Sequence, residues 1–187
     1  MRRRGFLMSV IGALAACAIA DNAVDRARFD VDGARLFMSG EITSRTPATF
    51  ERLLVENPQL RTVVMTSMQG SLDDAAVLRM GYRLRDAGLD THLTAQSEIY
   101  SGAVDLFLAG NRRSMARGAV IGVHSWADSF GDGASYPPDR PEHRANVRYT
   151  ADMLGRADFY WFTLQAAPSD AIHVMTDAEI ARFGLLT

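Results

Sequence analysis

QSEIYSGAVDLFLAGNRRSMARGAVIGVHSW, Gln96 to Trp126, is the stretch whose reading decides the fold. A polar segment leads into Ser101-Gly102-Ala103, and an apolar run from Val104 to Leu108 follows, interrupted only by Asp105. A basic turn, Asn111 to Arg113, precedes a second apolar run, Ala119 to Val123, which ends on His124. The pattern predicts a buried helix opened by a serine and a buried strand closed by a histidine. A helix N-terminus presents free backbone N–H groups, so a nucleophile and its oxyanion hole can share one turn. The 23 residues from Ser101 to His124 fit one helix, one loop and one strand, a return that could bring imidazole to hydroxyl. Serine is also a common structural N-cap, so these two residues alone leave both readings open.

Outward from this stretch, strands and helices alternate. Ala34–Ile42 reads as a strand ending in a glycine turn, and Thr46-Pro47 as the start of a helix whose apolar face is Phe50, Leu53, Leu54 and Val55. Thr62–Ser67 is a short apolar strand of the buried parallel kind. Gly70-Ser71 and Asp73-Asp74 open a helix with Ala75, Ala76, Val77, Met80 and Leu84 inward, closed by Ala87-Gly88. Asp90–Ala95 is a third strand before the Ser101 helix. Ala127–Glu142, with its glycines and prolines, reads as a surface loop, and its place directly after His124 makes it a candidate lid. Ala145–Phe162 carries helical periodicity and holds the aromatic run Phe159–Phe162, which suits helix packing or a subunit contact. Thr176 caps a last helix stopped by Gly184. Such alternation implies α/β architecture, a mostly parallel sheet with crossover helices.

The chain has 187 residues, 48% of them hydrophobic, and a formal net charge of −2, enough for one domain with a real core. A mildly acidic chain with no basic stripe argues against nucleic acid as a partner. His92, His124, His143 and His173 show no metal-ligand spacing, and neither a Cys-x-x-Cys pair nor a Gly-rich phosphate loop occurs. Neither a metal nor an organic cofactor is expected.

Residues 1–20 read as an export signal. Arg2, Arg3 and Arg4 form a basic n-region, and Gly5–Ala16 an apolar h-region too short for a membrane span. Arg3–Leu7 also matches a twin-arginine signal. Leu14–Cys17, LAAC, looks like a lipobox that would lipidate Cys17 and anchor the chain to a membrane, whereas Ala18–Ala20 looks like an ordinary A-x-A cleavage site. Cys17 is the single cysteine, so the mature body can form no internal disulfide. Loss of the three arginines takes the formal charge from −2 to −5. Residues 21–33 then read as a linker and 34–187 as the folded domain.

Four stretches within 34–187 together resemble the Clp protease proteolytic subunit and crotonase superfamily, in particular an exported branch of it. SMQGS at Ser67–Ser71 is similar to that family's S-P-G-G-S after a buried strand. YSGA at Tyr100–Ala103 resembles its nucleophile at a helix start, and GVHSW at Gly122–Trp126 its M-I-H-Q-P histidine. TDAEIARFGLL at Thr176–Leu186 resembles its closing S-x-x-E-A-x-x-Y-G-L helix. The resemblance implies a spiral of β-β-α units, with Ser101 as nucleophile, His124 as general base and the N–H groups of Gly70 and Gly102 as oxyanion hole. It implies assembly as a homo-oligomer acting on peptide or protein. The departures are Gln69 and Met68, where the family has glycine and proline, and Asp105 in a helix the family keeps apolar. If buried, Asp105 needs a partner such as Arg112 or Arg113. The family's third triad position falls on Ile172, and the nearest carboxylate is Asp170, which becomes the candidate orienting group, with Glu98 and Asp128 as substitutes.

Two readings of function follow. One is an exported serine hydrolase, a peptidase of the periplasm or lipid-anchored at the membrane. The other is an inactive relative that serves as an envelope binding or scaffold module.

Overall fold

The computed structural model describes residues 26–187. The signal segment 1–20 and Cys17 lie outside the described residues. The chain folds into α/β layers around a seven-stranded, mostly parallel sheet. Strand β1, Arg28–Asp32, and β2, Arg35–Ser39, form an antiparallel hairpin. From β2 the chain alternates: α1 Thr46–Glu56, β3 Thr62–Met68, α2 Asp74–Asp86, β4 Asp90–Tyr100, α3 Gly102–Leu108, β5 Arg113–Met115 and β6 Val120–Val123. The strands from β2 to β6 pair in parallel, and β9, His173–Val174, closes the far edge antiparallel to β6. The short stretch around Ile172 thus docks as an extended edge beside His124, as its apolar character suggests.

Buried parallel strands read as continuous apolar runs because helices cover them; Val63, Val64 and Met65 of β3 are 0–2% exposed. Helix α2 starts where Asp73 accepts the Ala76 N–H at 3.0 Å, a side-chain N-cap, and it buries Ala76, Val77, Met80 and Leu84. Every residue of α3 except Asp105 is buried. Helix α6, Asp177–Phe183, carries a full capping box between Thr176 and Glu179.

Several expectations change. The segment 21–33 is not a linker throughout, because β1 occupies 28–32: Phe29 and Val31 alternate with polar residues, and Gly33-Ala34 makes the tight turn into β2. The polar segment at Gln96 is not a loop but the second half of β4. There Ser97 donates to the Met65 carbonyl at 2.6 Å across a register shift, and the strand changes partner from β5 to β6. Ala127–Glu142 holds a small hairpin, β7 Ala127–Asp128 with β8 Gly131–Asp132, rather than an unstructured loop. The helix expected over 145–162 is two, α4 Arg144–Leu154 and α5 Asp158–Ala166. Gly155 at φ 75° breaks it, in the left-handed conformation that ends helices. Val55 and Ala75, expected inward, are exposed. The aromatic run of α5 is used inside the chain, with Phe159 1% and Tyr160 6% exposed.

Candidate active site

Ser101 stands in the turn between β4 and α3. Its N–H donates to the Gly122 carbonyl at 3.1 Å, so the end of β4 is tied to β6, and its carbonyl accepts the Val104 N–H at 2.8 Å to start the helix. Its backbone sits at φ 52°, ψ −130°; among the described residues no other non-glycine residue has a positive φ. A side chain is held there at a cost of about 1–3 kcal/mol. Its hydroxyl caps nothing. Gly70, at φ 126°, lies directly against it: a Cβ on Gly70 would stand 2.9 Å from Ser101 Cβ and 3.3 Å from the Tyr100 carbonyl oxygen. Only glycine serves at that position. A Cβ on Gly102 would meet Ser71 Cβ at 2.7 Å, so loop 70–71 closes onto the start of α3 because both glycines lack one. The Gly102 N–H, first in its helix, has no intrahelical acceptor.

His124 follows β6 and lines one cavity with Ser101 and Gly102. Its Nδ1 lies 2.7 Å from the Ser125 carbonyl oxygen. A carbonyl can only accept, so Nδ1 carries the proton and Nε2 holds the lone pair, the tautomer a general base requires. Ser125 is itself fixed. It is fully buried, its N–H donates to Ala167 O at 2.9 Å, and its hydroxyl accepts the Ala134 N–H at 3.1 Å. That hydroxyl donates to the Trp126 carbonyl at 3.2 Å. Ser125 first of all, with the N–H groups of Ala134 and Ser169 at 2.9 and 2.8 Å, holds the Asp132 pKa down to about 2.

The structure brings Ser101, Gly70, Gly102 and His124 together, although no hydrogen bond joins the Ser101 hydroxyl to the imidazole. Asp170 is exposed in the turn after α5 and does not line the cavity. The proton of His124 Nδ1 goes to a backbone carbonyl instead. Glu98 accepts the Tyr100 hydroxyl, and Asp128 accepts the N–H groups of Phe130 and Gly131 and the Tyr136 hydroxyl, so neither substitute serves His124. The carboxylates that do line the cavity are Asp74 and Asp105. Burial pushes Asp105 up to about 7, with the charge of Asp74 adding to it. Asp74 also reaches solvent; its pKa is raised by burial and by Asp73, with His124 opposing. The arginines expected to pair with Asp105 do not. Arg113 donates to the carbonyls of Leu185, Gly110 and Gly184, and Arg112 is exposed.

The opposite wall is aromatic. Tyr160 accepts from Trp126 Nε1 at 2.8 Å and donates to His143 Nδ1 at 2.6 Å, while His143 Nε2, 3.4 Å from the Tyr136 carbonyl oxygen, donates to it. Burial first of all pushes Tyr160 up to about 12. Asp74, Asp132, His143 and Tyr160 escaped the sequence reading. The one hint was Asp132 between two glycines, a turn signal.

No protein-family model matches the chain, and no curated protein matches it in sequence. Its fold is similar to that of an enoyl-CoA hydratase from Mycobacterium avium subsp. paratuberculosis K-10, at 12% identity over 86% of this chain and 69% of that one, TM-score 0.54. It is equally similar to a mutant of the membrane-bound stomatin-specific protease 1510-N, at 16% identity over 80% of this chain and 75% of that one, TM-score 0.55. A second mutant of that protease, in complex with a substrate peptide, matches at 18% identity over 80% and 71%, TM-score 0.54. A hydratase and a protease fit equally well, so the fold does not choose the chemistry. All 20 lysine-or-arginine positions of this chain are arginine, so no lysine is present to serve as the base of a serine.

Proposed function

From the Clp protease/crotonase-like fold that these likenesses give the chain, we propose that it is a serine hydrolase acting on peptide bonds, with Ser101 as nucleophile and His124 as general base. The observation that carries the reading is the backbone of Ser101. A serine held at positive φ, its hydroxyl uncommitted and glycine backed against it, faces the same cavity as a histidine in the basic tautomer. His124 Nε2 takes the hydroxyl proton as Oγ attacks the scissile carbonyl. The N–H groups of Gly70 and Gly102 take up the oxyanion. The imidazolium is stabilised by the Ser125 carbonyl in the place of a triad carboxylate, then protonates the leaving amine, and water releases the acyl group. Asp132 acts only through Ser125, as a positioning residue.

The proposal extends to place. It includes export to the bacterial envelope with a lipid anchor at Cys17, which the signal features at Arg2–Arg4 and Leu14–Cys17 support, and assembly as a homo-oligomer, which the resemblance to the Clp protease and crotonase superfamily implies. Mass spectrometry of the mature N-terminus tests this: an unmodified start at Asp21 removes the anchor and keeps export, and a retained Arg2–Arg4 segment removes both.

The missing hydrogen bond between Ser101 and His124 favours the second reading, a binding module without turnover. Apo sites are often loose, however, and tighten only on substrate. A fluorophosphonate probe decides. Labelling of the purified protein that vanishes in Ser101→Ala supports the hydrolase, and absence of labelling between pH 6 and 9 leaves the binding module.

A further inference from the structure

We infer that the cavity beside Ser101 and His124 receives a cationic group, an alkylammonium or guanidinium, between the carboxylates of Asp74 and Asp105. That this cation is a side chain of the cleaved peptide rests on the hydrolase reading; that the cavity holds a cation does not.

Asp105 carries the argument. It is the one polar residue of α3, whose other six residues are buried. Its main-chain carbonyl takes the Tyr149 hydroxyl at 2.8 Å, but among the described residues its carboxylate has neither a hydrogen bond nor an ion pair. It is closed in by protein and opens to the cavity it lines. Asp74, exposed at the rim, brings a second carboxylate to the same cavity, close enough for its charge to act on Asp105. No arginine offsets them. Arg85 donates to the carbonyls of Ala109, Leu108 and Met153, and Arg113 is held by the carbonyls at 184–185.

The donors of the aromatic wall are committed elsewhere. The Tyr160 hydroxyl donates to His143, Trp126 Nε1 donates to Tyr160, and the Thr163 hydroxyl donates to the Tyr160 carbonyl at 2.8 Å. So the protein supplies acceptors on one side of the cavity and spends its donors on the other. An enclosed carboxylate with no partner is unfavourable, and a partner that carries a positive charge and several N–H donors removes that penalty. The faces of Trp126, Phe159 and Tyr160 add a surface that attracts cations. Among the described residues no group of three His, Cys, Asp or Glu could hold a metal ion, which points to an organic cation.

The test separates binding from cleavage. Benzamidinium and n-butylammonium are titrated calorimetrically into the Ser101→Ala protein, with benzamide and n-butanol as neutral counterparts. The expected result is binding of the cations alone, weakened at least 10-fold by Asp105→Asn and several-fold by Asp74→Asn. Peptides that differ only in arginine or citrulline before the scissile bond should be cleaved with kcat/KM at least 100-fold higher for arginine. Equal binding of the neutral compounds, or affinity unchanged in both variants, overturns the inference. If fluorophosphonate labels Ser101 but the cations do not bind, the cation site fails and the hydrolase stands. If the cations bind through Asp105 and nothing labels Ser101, the hydrolase fails and the cation site stands.

Discussion

The two walls of one cavity differ in a way that locates the chemistry. On the aromatic wall every polar atom is satisfied: Trp126, Tyr160 and His143 form a chain of hydrogen bonds at 2.8 and 2.6 Å that ends on the Tyr136 carbonyl. On the Ser101 wall the hydroxyl caps nothing, the Asp105 carboxylate has no partner, and the backbone itself is strained. Buried polar groups are almost always paired. A wall whose half-buried polar groups stay open to the cavity, beside one that pairs its own, is therefore shaped for something other than the protein. The first wall holds the fold, and the second waits for a ligand.

The sharpest way to break this contrast is His124→Ala, which should slow fluorophosphonate labelling about 1000-fold; a rate within twofold of the parent protein would place the base elsewhere. Next comes Gly70→Ala. Its new methyl would stand 2.9 Å from Ser101 Cβ at a φ of 126°, and labelling should fall about 100-fold. Gly33→Ala is the control: it also has a positive φ but nothing within 4 Å of its Cβ, so labelling should not change.

The satisfied wall is probed by Tyr160→Phe. It strands the Trp126 N–H and His143 Nδ1, and urea denaturation should show a loss of about 1–3 kcal/mol. An unchanged midpoint would mean that this network does not hold the wall. The smallest effect is the pH dependence set by Asp105. Its folded pKa, about 7, lies above the ordinary 3.8. Between those values the native state binds the extra proton, so stability falls as pH rises from 4 to 7 and is lowest above 7. Full retention of the displacement is worth about 4 kcal/mol; exposure to the cavity reduces this to about 1–2 kcal/mol. Asp105→Asn should flatten the profile, and an identical slope in that variant would assign it to another group.

Much of this arrangement could be read from the sequence, because its signals are local. A serine-glycine pair between a strand and an apolar run, an apolar run ending on histidine, and Gly70 after Thr62–Ser67 each depend on neighbours in the chain. What escaped depends on contacts across space. The orienting acceptor of His124 is the main-chain carbonyl of Ser125, and no residue type announces a carbonyl. Asp74 stood out only as the start of a helix, and Asp105 only as a charge in an apolar helix, until α2 and α3 placed them at one cavity. The break at Gly155 was hidden because the apolar spacing runs on through it, and the continuation of β4 past Gln96 because polar residues line its irregular step.

The backbone of Ser101 bears on how the chain would drift under mutation. Glycine would relieve the positive φ at position 101 without disturbing the turn, a change that commonly stabilises such positions. A chain released from any need for the hydroxyl would gain stability by that substitution. A serine in a conformation suited to glycine therefore costs the fold stability, as stability yields to activity at working sites.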